Sequence, residues 1–464
     1  MTDKKEVYLT KEGYEEAKKE LDYLINVKRP ENIILEAIDQ HRDEIIEFAR
    51  DIYDHGELGY KEFNTAEKFI KKMKELGLRT ETGLAITGTK AYLNEEKKDT
   101  ASLALLGELD ALRIPEHAHA NPETDAAHCC GHHAQMAGIF GAALALTVPE
   151  IAEKLDGQVV FFATPAEEYG EIGFKNELRA QGKIKYGGGK CELLRIGAFD
   201  DIDLCITHHI APGDDIIVGS GTGNGFVSKV IRCLGKAAHA AGTPEQGVNA
   251  LSAASLGLQA LGLNRETFRD EDCVRVHPII TKGGNLVNVV PDEVVVETLV
   301  RAKTIEAFTD AAKKTDRSFH AGAIAMGAKV EITTLPGYLP TLAEEALPEL
   351  KRAAELSAPE TNVIEASGHT GGSTDVGDVQ HLMPVYTFNT GGVKGGLHQV
   401  EFEVTDEEEA YIVTAKMFAL GAYGLLKEKA ARSRELVKNY KPVFENSAKY
   451  AEFMDQFDSK EVLE

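Results

Sequence analysis

Cysteine is scarce in this sequence, and its six cysteines are irregularly spaced. Such a pattern does not form a disulfide framework and predicts reduced thiols, as in a cytosolic protein. The longest apolar stretch, residues 136–148, is shorter than the ~20 residues that a membrane-spanning helix needs. The N-terminal residues MTDKKEVYLT lack the apolar core of a signal peptide. We therefore expect a cytoplasmic protein with no membrane segment.

Positive charge is also in short supply. Lys and Arg together number 51 against 75 Asp and Glu, which gives a formal net charge of −24. Attraction of nucleic acid by a general basic surface requires an excess of Lys and Arg, so we expect no nucleic-acid partner. A strongly acidic balance favours solubility.

The length and the overall composition describe a folded protein of more than one unit. The 464 residues exceed one ordinary core, since a domain usually holds roughly 100–200 residues. Hydrophobic residues make up 43% of the chain and charged residues 27%, as in globular proteins.

Short apolar runs alternate with helical stretches from about residue 100 onward. Continuous apolar runs are typical of buried strands in a largely parallel sheet that is covered by helices. The sequence therefore predicts an α/β fold. The runs span 103–106, 159–163, 204–207 and 385–389, and a helix is predicted over 135–146.

Three further helices are predicted outside this core pattern. Residues 8–28 carry a coiled-coil-like stripe, and a second amphipathic helix follows Pro30. Thr405 and Glu408 have the spacing of a capping box and predict the start of the last long helix. The stripe consists of Tyr14, Ala17, Leu21 and Leu24, and the apolar face of the second helix consists of Ile45, Phe48, Ala49 and Ile52.

Residues 219–336 follow a different pattern. Strand-like alternation over 226–234 and 293–302 is combined with helical stretches over 248–261 and 304–325. This pattern predicts a smaller α+β unit, a lid or dimerisation domain, inserted into the main α/β domain. The predicted division is an N-terminal helical extension at 1–34, a catalytic domain at 35–218 and 337–435, the insertion at 219–336, and a C-terminal tail at 436–464.

Potential metal ligands and acid–base groups follow each of the four apolar runs. Because the carboxyl ends of strands in an open α/β sheet form its binding crevice, these groups could converge there. They lie in GELD at 107–110, PAEE at 165–168, the pair His208-His209, and a Gly-rich loop that contains His398.

The densest local signal is HCCGHH at 128–133. Thiolate and imidazole are good ligands for borderline-soft divalent ions such as zinc, although a buried Cys and His at a helix entry would look the same. Of the adjacent Glu167 and Glu168, one could bind a metal while the other deprotonates a bound water. Neighbours on a strand point to opposite faces, so one of His208 and His209 could be a ligand while the other is packed or exposed. His398 could be a simple loop histidine.

These motifs resemble, in order and over most of the chain, the aminoacylase/carboxypeptidase G superfamily of co-catalytic metallopeptidases. The resemblance is closest to its amidohydrolase branch, which acts on aminobenzoyl-glutamate, hippurate and indoleacetyl amino acids. GSTDVGDV and GKAAHAA resemble the aminobenzoyl-glutamate subgroup. The motifs are HGELGYKEFNTA at 55–66, GELDAL at 107–112, HCCGHHAQMAG at 128–138, TPAEEYG at 164–170, GAFDDIDLCITHHIAPG at 197–213, GKAAHAAGTPEQGVNAL at 235–251, GGNLVNVVPD at 283–292, GSTDVGDV at 372–379 and GGLHQVEFEV at 395–404.

The resemblance implies a role for each site residue. It implies two divalent ions, Zn or Mn, with Cys130 as the bridging ligand and with His209 rather than His208 as a ligand. Glu167 would be the general base, and Asp110 would orient a ligand histidine. The full implied ligand set is Cys130, His132, Glu168, His209 and His398.

The inserted unit and the later loops would complete the site. In this family a histidine at the position of His239 stabilises the oxyanion, often from the partner subunit of a dimer. Asn288, together with Gly372 and Ser373, would position the substrate. The resemblance therefore implies a homodimer or higher homo-oligomer that acts on small acyl-amino acids or dipeptides.

The chain departs from the family pattern at three positions. His133 stands where relatives usually have Asp or Asn, Gln135 replaces another His, and Arg113 replaces a Pro. His133 could be an extra ligand or a pocket residue, and these changes bear on the substrate more than on the metals.

Residues 7–33 resemble the opening helix of Gre-type transcription elongation factors. A helical appendage used in packing or oligomerisation is the simplest interpretation. The favoured function is hydrolysis of the amide bond of an N-acyl or N-aroyl amino acid by a metal-activated water. The alternatives are a dipeptidase or carboxypeptidase on the same scaffold, and a non-catalytic RNA-polymerase-associated protein.

Overall fold

Two β-sheets organise the chain, and each is covered by its own helices. The computed structural model describes residues 29–463 together with Tyr14, Glu15 and Lys18. The prediction of a helix over 8–28, with Ala17, Leu21 and Leu24 in its stripe, therefore falls outside the described residues apart from those three.

The larger sheet has eight strands in the order β1-β2-β6-β3-β7-β17-β8-β15. Its centre, β6-β3-β7-β17, is parallel, which confirms the predicted α/β class. Every residue of β3 and β6 is buried, because helices cover both faces of the sheet there. The strands are β1 Arg79–Leu84, β2 Gly88–Leu93, β3 Ser102–Glu108, β6 Gln158–Thr164, β7 Leu204–Ile210, β8 Ile216–Val218, β15 Val363–Glu365 and β17 Val385–Thr390.

Helices pack on both faces of this sheet. The central one, α4 (His132–Leu146), is buried along its whole length, as expected of a helix that is apolar all round. Ile45, Phe48, Ala49 and Ile52 are buried in α2, as predicted. The other helices are α1 Pro30–Gln40, α2 Arg42–Tyr53, α3 Phe63–Glu75, α5 Pro149–Ala152, α6 Ile172–Ala180, α7 Gly189–Arg195, α10 Pro348–Ser357, α11 Val376–Gln380 and α12 Thr414–Asn439.

The smaller sheet is antiparallel and lies on two long helices, α8 (Ala250–Asn264) and α9 (Ile305–Met326). Its strand order is β11-β13-β10-β14-β20, and β12 also pairs with β13. Alternate residues of β13 are buried, which is the pattern that the sequence predicts for 293–302. The strands are β10 Gly225–Leu234, β11 Arg275–Val276, β12 Ile279–Lys282, β13 Glu293–Ala302, β14 Lys329–Pro336 and β20 Ser459–Leu463.

The C-terminal segment connects the two sheets. Helix α13 (Ser447–Met454) packs on α7 of the main unit, and β20 then pairs with β14 at the edge of the smaller sheet. The domain division, including a tail at 436–464, stays a prediction, although the smaller sheet takes one strand from that tail. Three two-stranded pairs complete the fold: β4 Leu112–Arg113 with β5 Ala126–Ala127, β9 Thr222–Gly223 with β16 His369–Thr370, and β18 Val393–Lys394 with β19 Glu403–Val404.

The predicted capping box at the last long helix is wrong in detail. The Thr405 hydroxyl donates to the carbonyl of Gly392, and Asp406 instead accepts hydrogen bonds from the amides of Glu408 and Glu409. A π-helical turn, Glu408–Val413, then precedes α12. Among the described helices, none combines the length and the apolar character needed to cross a membrane.

Candidate metal centre

The ends of the central strands and the start of α4 bring the predicted ligands to one place. Cys130 precedes α4 and His132 is its first residue, Glu168 follows β6, and His209 lies in β7. His398 lies in the loop between β18 and β19. With the exception of the buried His132, these residues line a cavity of about 650 Å³.

Two residues of these loops, Gly131 and His398, have a backbone conformation with positive φ. Gly131 has φ 86°, and a Cβ there would lie 2.1 Å from Cγ2 of Ile210, so only glycine fits between Cys130 and His132. His398 has φ 61°, an unusual conformation for a side-chain-bearing residue, and its amide donates to the carbonyl of Cys129 at 2.9 Å. The His398 loop is thereby fixed to the loop that carries the thiol.

Cys130 lies at the centre of two groups of donor atoms. Its Sγ is 3.3 Å from Nε2 of His209 and 3.2 Å from Nε2 of His398, and the latter is 3.1 Å from Oε1 of Glu168. The donor atoms of Cys130, His132 and His209 all lie within 4.8 Å of one another, and so do those of Cys130, Glu168 and His398. Two ions that share one thiolate would need this arrangement.

Asp110 organises both His132 and the two glutamates without entering the donor groups. Nδ1 of His132 is 2.8 Å from the carbonyl oxygen of Asp110, which only accepts, so Nδ1 carries a proton and Nε2 is the ring nitrogen that faces the donor groups. The Asp110 carboxylate accepts from the amides of Glu167 at 3.1 Å and Glu168 at 2.9 Å. The contact between Asp110 and His132 is the one that the family resemblance implies, and the role of Asp110 stays a prediction.

Electrostatics at the site favour added positive charge. Burial, followed by the carboxylates of Glu108 and Glu168, raises the pKa of Glu167 well above that of an ordinary glutamate. Burial and then Glu168 likewise raise the pKa of the Cys130 thiol. Nε2 of the fully buried His132 forms no hydrogen bond within the described part of the chain and lies 3.1 Å from Oε2 of Glu108. Sulfur, imidazole and carboxylate donors crowded in this way fit divalent cations, which would stabilise the ionised thiol and carboxylates.

The two adjacent histidines of β7 lie on opposite sides of the strand. His208 is buried between Phe388 and Phe418, and its Nε2 is hydrogen-bonded to the Thr390 hydroxyl at 2.8 Å. Nδ1 of His209 donates to the carbonyl of Ile210, which leaves Nε2 facing Cys130. The structure therefore brings His209, and not His208, to the donor groups.

His133 does not lie with the donors. One residue further along α4 than His132, it points into the core, where its ring packs on Tyr53 at 4.5 Å and on His128 and Tyr411 at 5.6 Å. Successive helical residues point about 100° apart, so His132 and His133 cannot both reach the same ions. Its ring contacts therefore make His133 a residue of the core, and it does not lie where an extra ligand would.

The predicted substrate residues divide into two groups. Gly372 and Ser373 line the cavity. His239 and Asn288 are exposed on the inserted unit and do not line it. Nδ1 of His239 accepts from the amides of Ala241 and Gly242, and Asn288 pairs through its carbonyl with Ala240.

Arg301 is a site residue that sequence reasoning missed. It lies on β13 and lines the cavity from the inserted unit, where its guanidinium is 3.4 Å from Oγ of Ser373 and packs over the Phe226 ring. No carboxylate in the described part of the chain forms an ion pair with it, and burial lowers its pKa. In the sequence, a single arginine in a strand of alternating residues gives no indication that it faces a cavity.

A buried charge network beneath the cavity was also missed. Nζ of Lys190, which is fully buried, bridges Oε1 of Glu108 at 2.5 Å and Oδ1 of Asp375 at 2.6 Å. Gln135 donates to Oε2 of Glu108 at 2.9 Å and accepts from the Glu108 amide. Glu108 stands inside the GELDAL motif, but only the fold shows that Lys190 and Asp375 face it.

Comparison with known proteins identifies the family. The model of the peptidase family M20/M25/M40 matches residues 104–422, which is more than half of the chain. The chain belongs to this family. It is therefore a metallo-amidohydrolase or metallopeptidase, and the predicted resemblance is confirmed.

Curated relatives in this family have several activities. The chain is 27% identical to an N-acetyl-L-cysteine deacetylase of Bacillus subtilis (strain 168), over 81% of this chain and 86% of that protein. It is 28% identical to the Xaa-Arg dipeptidase of Mus musculus, over 68% and 67%. It is 29% identical to one of the chains of the p-aminobenzoyl-glutamate hydrolase of Escherichia coli (strain K12), over 58% and 52%.

Solved structures share the fold. The YXEP protein of Bacillus subtilis, described as a dinuclear metal-binding peptidase of the M20 family, matches with a TM-score of 0.58 and 23% identity, over 84% of this chain and 99% of that one. The aminobenzoyl-glutamate utilization protein of Klebsiella pneumoniae matches with a TM-score of 0.62 and 18% identity, over 85% and 98%.

A second family model, the N-terminal part of transcription elongation factors, matches residues 7–45. This match agrees with the resemblance seen in residues 7–33. The described end of the matched segment comprises α1 and the start of α2, where Ile34, Ile38 and Ile45 are buried in the core of the main unit. That part of the segment is thus packed into the hydrolase fold.

Proposed function

We propose that the protein hydrolyses the amide bond of an N-acyl or N-aroyl amino acid with the help of two divalent ions, zinc or manganese. The observation that carries this proposal is the pair of donor groups that share Cys130, beside the buried Glu167 and in a cavity that holds the unpaired Arg301. The aminobenzoyl-glutamate hydrolase and acetylcysteine deacetylase among its relatives support this substrate class.

The ions would be held by the residues of the two donor groups. Cys130, His132 and His209 would hold one ion, and Cys130, Glu168 and His398 the other. When bound, the ions lower the pKa of a water towards neutrality and polarise the scissile carbonyl.

Glu167 would act as the proton carrier. It is adjacent to the ligand Glu168 but is oriented separately by Asp110, and its raised pKa suits a group that both takes and returns a proton. Glu167 would accept the proton of the attacking water and then deliver it to the leaving amine nitrogen.

Arg301 would bind the carboxylate of the substrate. A half-buried guanidinium without a carboxylate partner is costly unless a ligand supplies one, and its planar donors match a carboxylate in two parallel hydrogen bonds. The aromatic side chains of Tyr169, Phe226 and Tyr338 lie in contact on the same wall and offer an apolar surface for the acyl or aroyl group.

His239 would enter the site only from a second copy of the chain or after closure of the inserted unit. The β12 edge of the smaller sheet exposes Ile279 and Ile280, and the following loop exposes Leu286 and Val287. Such an exposed, apolar edge suits pairing with the same edge of a second copy, which would make a homodimer. Sedimentation analysis of the protein would show twice the chain mass, and a monomer would exclude this assembly.

The first test separates proton transfer from metal binding. Glu167→Gln keeps the shape of the side chain but cannot carry a proton, so turnover should fall by at least ~100-fold while the metal content stays at the wild-type level. Hydrolysis of aminobenzoyl-glutamate and acetylated amino acids, alongside metal analysis, would measure both. Wild-type turnover in the variant would exclude Glu167 as the base.

A dipeptidase is the second candidate, since the Xaa-Arg dipeptidase is also among the relatives. A panel of acyl-amino acids and dipeptides, each as free acid and methyl ester, distinguishes the two. We expect the acyl-amino acids to be hydrolysed in preference and each ester to be the poorer substrate, because the ester cannot pair with Arg301. Preference for dipeptides would favour the second candidate.

A further inference from the structure

Glu108 lies at the carboxyl end of β3, next to the donor groups but outside the predicted ligand set. Its side chain is almost fully buried and is held at both oxygens: Lys190 donates to Oε1 and Gln135 to Oε2. A carboxylate fixed in this way has one orientation, since neither oxygen can rotate without losing a hydrogen bond.

Oε2 of Glu108 faces Nε2 of the His132 ring. It lies 3.1 Å from Nε2 of His132, and Nδ1 of the same ring already donates to Asp110. Because Nδ1 is engaged with Asp110, Nε2 is the nitrogen that faces the neighbouring carboxylate oxygen, and a cation bound between these two atoms would be held by both. The atoms of Glu108, His132 and Glu167 form a third group of donors within 4.8 Å.

The spacing matches two ligands of the same ion. Bonds of ~2.0–2.2 Å to nitrogen and oxygen at a tetrahedral ion place two donors roughly 3.3 Å apart. The 3.1 Å between Glu108 and His132 is comparable with the 3.1–3.3 Å found among Cys130, His209, His398 and Glu168.

We propose that Glu108 is a ligand of the ion held by Cys130, His132 and His209, and that Lys190 positions it from the opposite oxygen. The inference rests on the proposed two-metal function. The two ions would then be unequal, because one would have four protein donors and the other would have three, from Cys130, Glu168 and His398. Closed four-donor sites hold metal structurally, and three-donor sites leave room for water or substrate. We therefore expect the Glu108 ion to bind more tightly.

The test uses Glu108→Gln and a matched control, Asp375→Asn. Both remove one carboxylate from Lys190 and both positions are buried, but Asp375 does not reach His132. Titration of the metal-free full-length protein with Zn²⁺ against a chelating dye gives the stoichiometry and both affinities. The loss of an outer partner costs roughly 10–100-fold in metal affinity, so Asp375→Asn should stay within that range. Glu108→Gln should lower the affinity for the tighter ion by more than about 100-fold and leave the affinity for the weaker ion unchanged.

Three results would overturn the proposal: wild-type affinities in Glu108→Gln, equal losses in both variants, or a loss confined to the weaker ion. If Glu108→Gln does not fold, as judged by circular dichroism, Glu108→Gln/Lys190→Met removes the unbalanced charge and is titrated instead. Failure of the proposed function would look different, because wild-type protein would then bind no metal or hydrolyse no amide.

Discussion

Asp110 accepts hydrogen bonds from the backbone amides of both Glu167 and Glu168, at 3.1 and 2.9 Å, while its own carbonyl holds His132. One fully buried residue thus contacts the proposed base and two proposed ligands, the glutamates through its carboxylate and His132 through its carbonyl. Ala166, just before the glutamates, has φ 48°, an unusual backbone conformation for a residue with a side chain.

Glu62 lies behind this arrangement and makes folding depend on pH. Its carboxylate accepts from the amide of Ala166 and from the hydroxyl of Thr87, but burial and then the nearby Asp110 raise its pKa from 4.5 to about 7. The folded state therefore holds the proton more tightly than the unfolded state does. Stability from this group is fully present below pH 4.5 and is lost as the pH rises through 7.

Glu62→Gln should remove this pH dependence. Relative to the variant, the wild-type free energy of unfolding should fall by about 3 kcal/mol between pH 4.5 and pH 7 and change little above it. Urea unfolding of both proteins across that range measures the difference. Parallel stability curves would show that Glu62 is not the responsible group.

At the scale of residues, the sequence could predict chemistry better than geometry. HCCGHH and the glutamate pair identify the donor types, but periodicity leaves His208 and His209 equivalent, and only the family resemblance favoured His209. Arg301, Lys190 and Asp375 belong to separate elements, so nothing along the chain relates them to the site. The roles of the donors remain predictions, whereas their proximity is a property of the fold.

At the scale of elements, the crossing of α4 and α12 depends on glycine. A Cβ at Gly138 would lie 2.5 Å from Cγ2 of Thr414, and the Thr414 hydroxyl is hydrogen-bonded to Ala410 and Thr390, so that side chain cannot move aside cheaply. The two helices therefore approach more closely than residues with a Cβ would allow.

Gly138→Ala should consequently destabilise the protein by about 1–3 kcal/mol, the usual cost of overpacking. Gly173→Ala in α6 is the control, because its Cβ would meet nothing within 4 Å. That change should be neutral or stabilise by up to ~1 kcal/mol, since it restricts the unfolded chain. Thermal unfolding of both variants provides the comparison, and equal effects would refute the role of the crossing.

The strands are predicted correctly where burial of apolar side chains alone decides the pattern of the sequence. The runs at 103–106 and 159–163 are buried strands because helices cover both sheet faces, and the alternation of 293–302 reflects a sheet with one covered face. The capping box failed because Asp406 competes for the same amides and Thr405 bonds elsewhere. Short side-chain caps depend on the local turn, which the sequence pattern does not specify.

At the scale of the whole molecule, the proposed site is divided between two units. The donor groups belong to the main unit, Arg301 reaches the cavity from the smaller sheet, and His239 lies outside the cavity. The sequence predicts the inserted unit from its change of pattern, but not which of its residues face the cavity, because that depends on how the two units meet.

The C-terminal segment has a consequence for cooperativity. Tyr450 of α13 is buried and donates to Asp378 of the main unit at 2.8 Å, and 13 residues later Leu463 pairs with Val330 of the smaller sheet. The smaller sheet cannot keep all its strands once α13 detaches, so the two units should lose structure together. We expect one calorimetric transition for the intact chain, and two for a chain that ends before Ser459. Two transitions in the intact chain would mean that each unit melts independently.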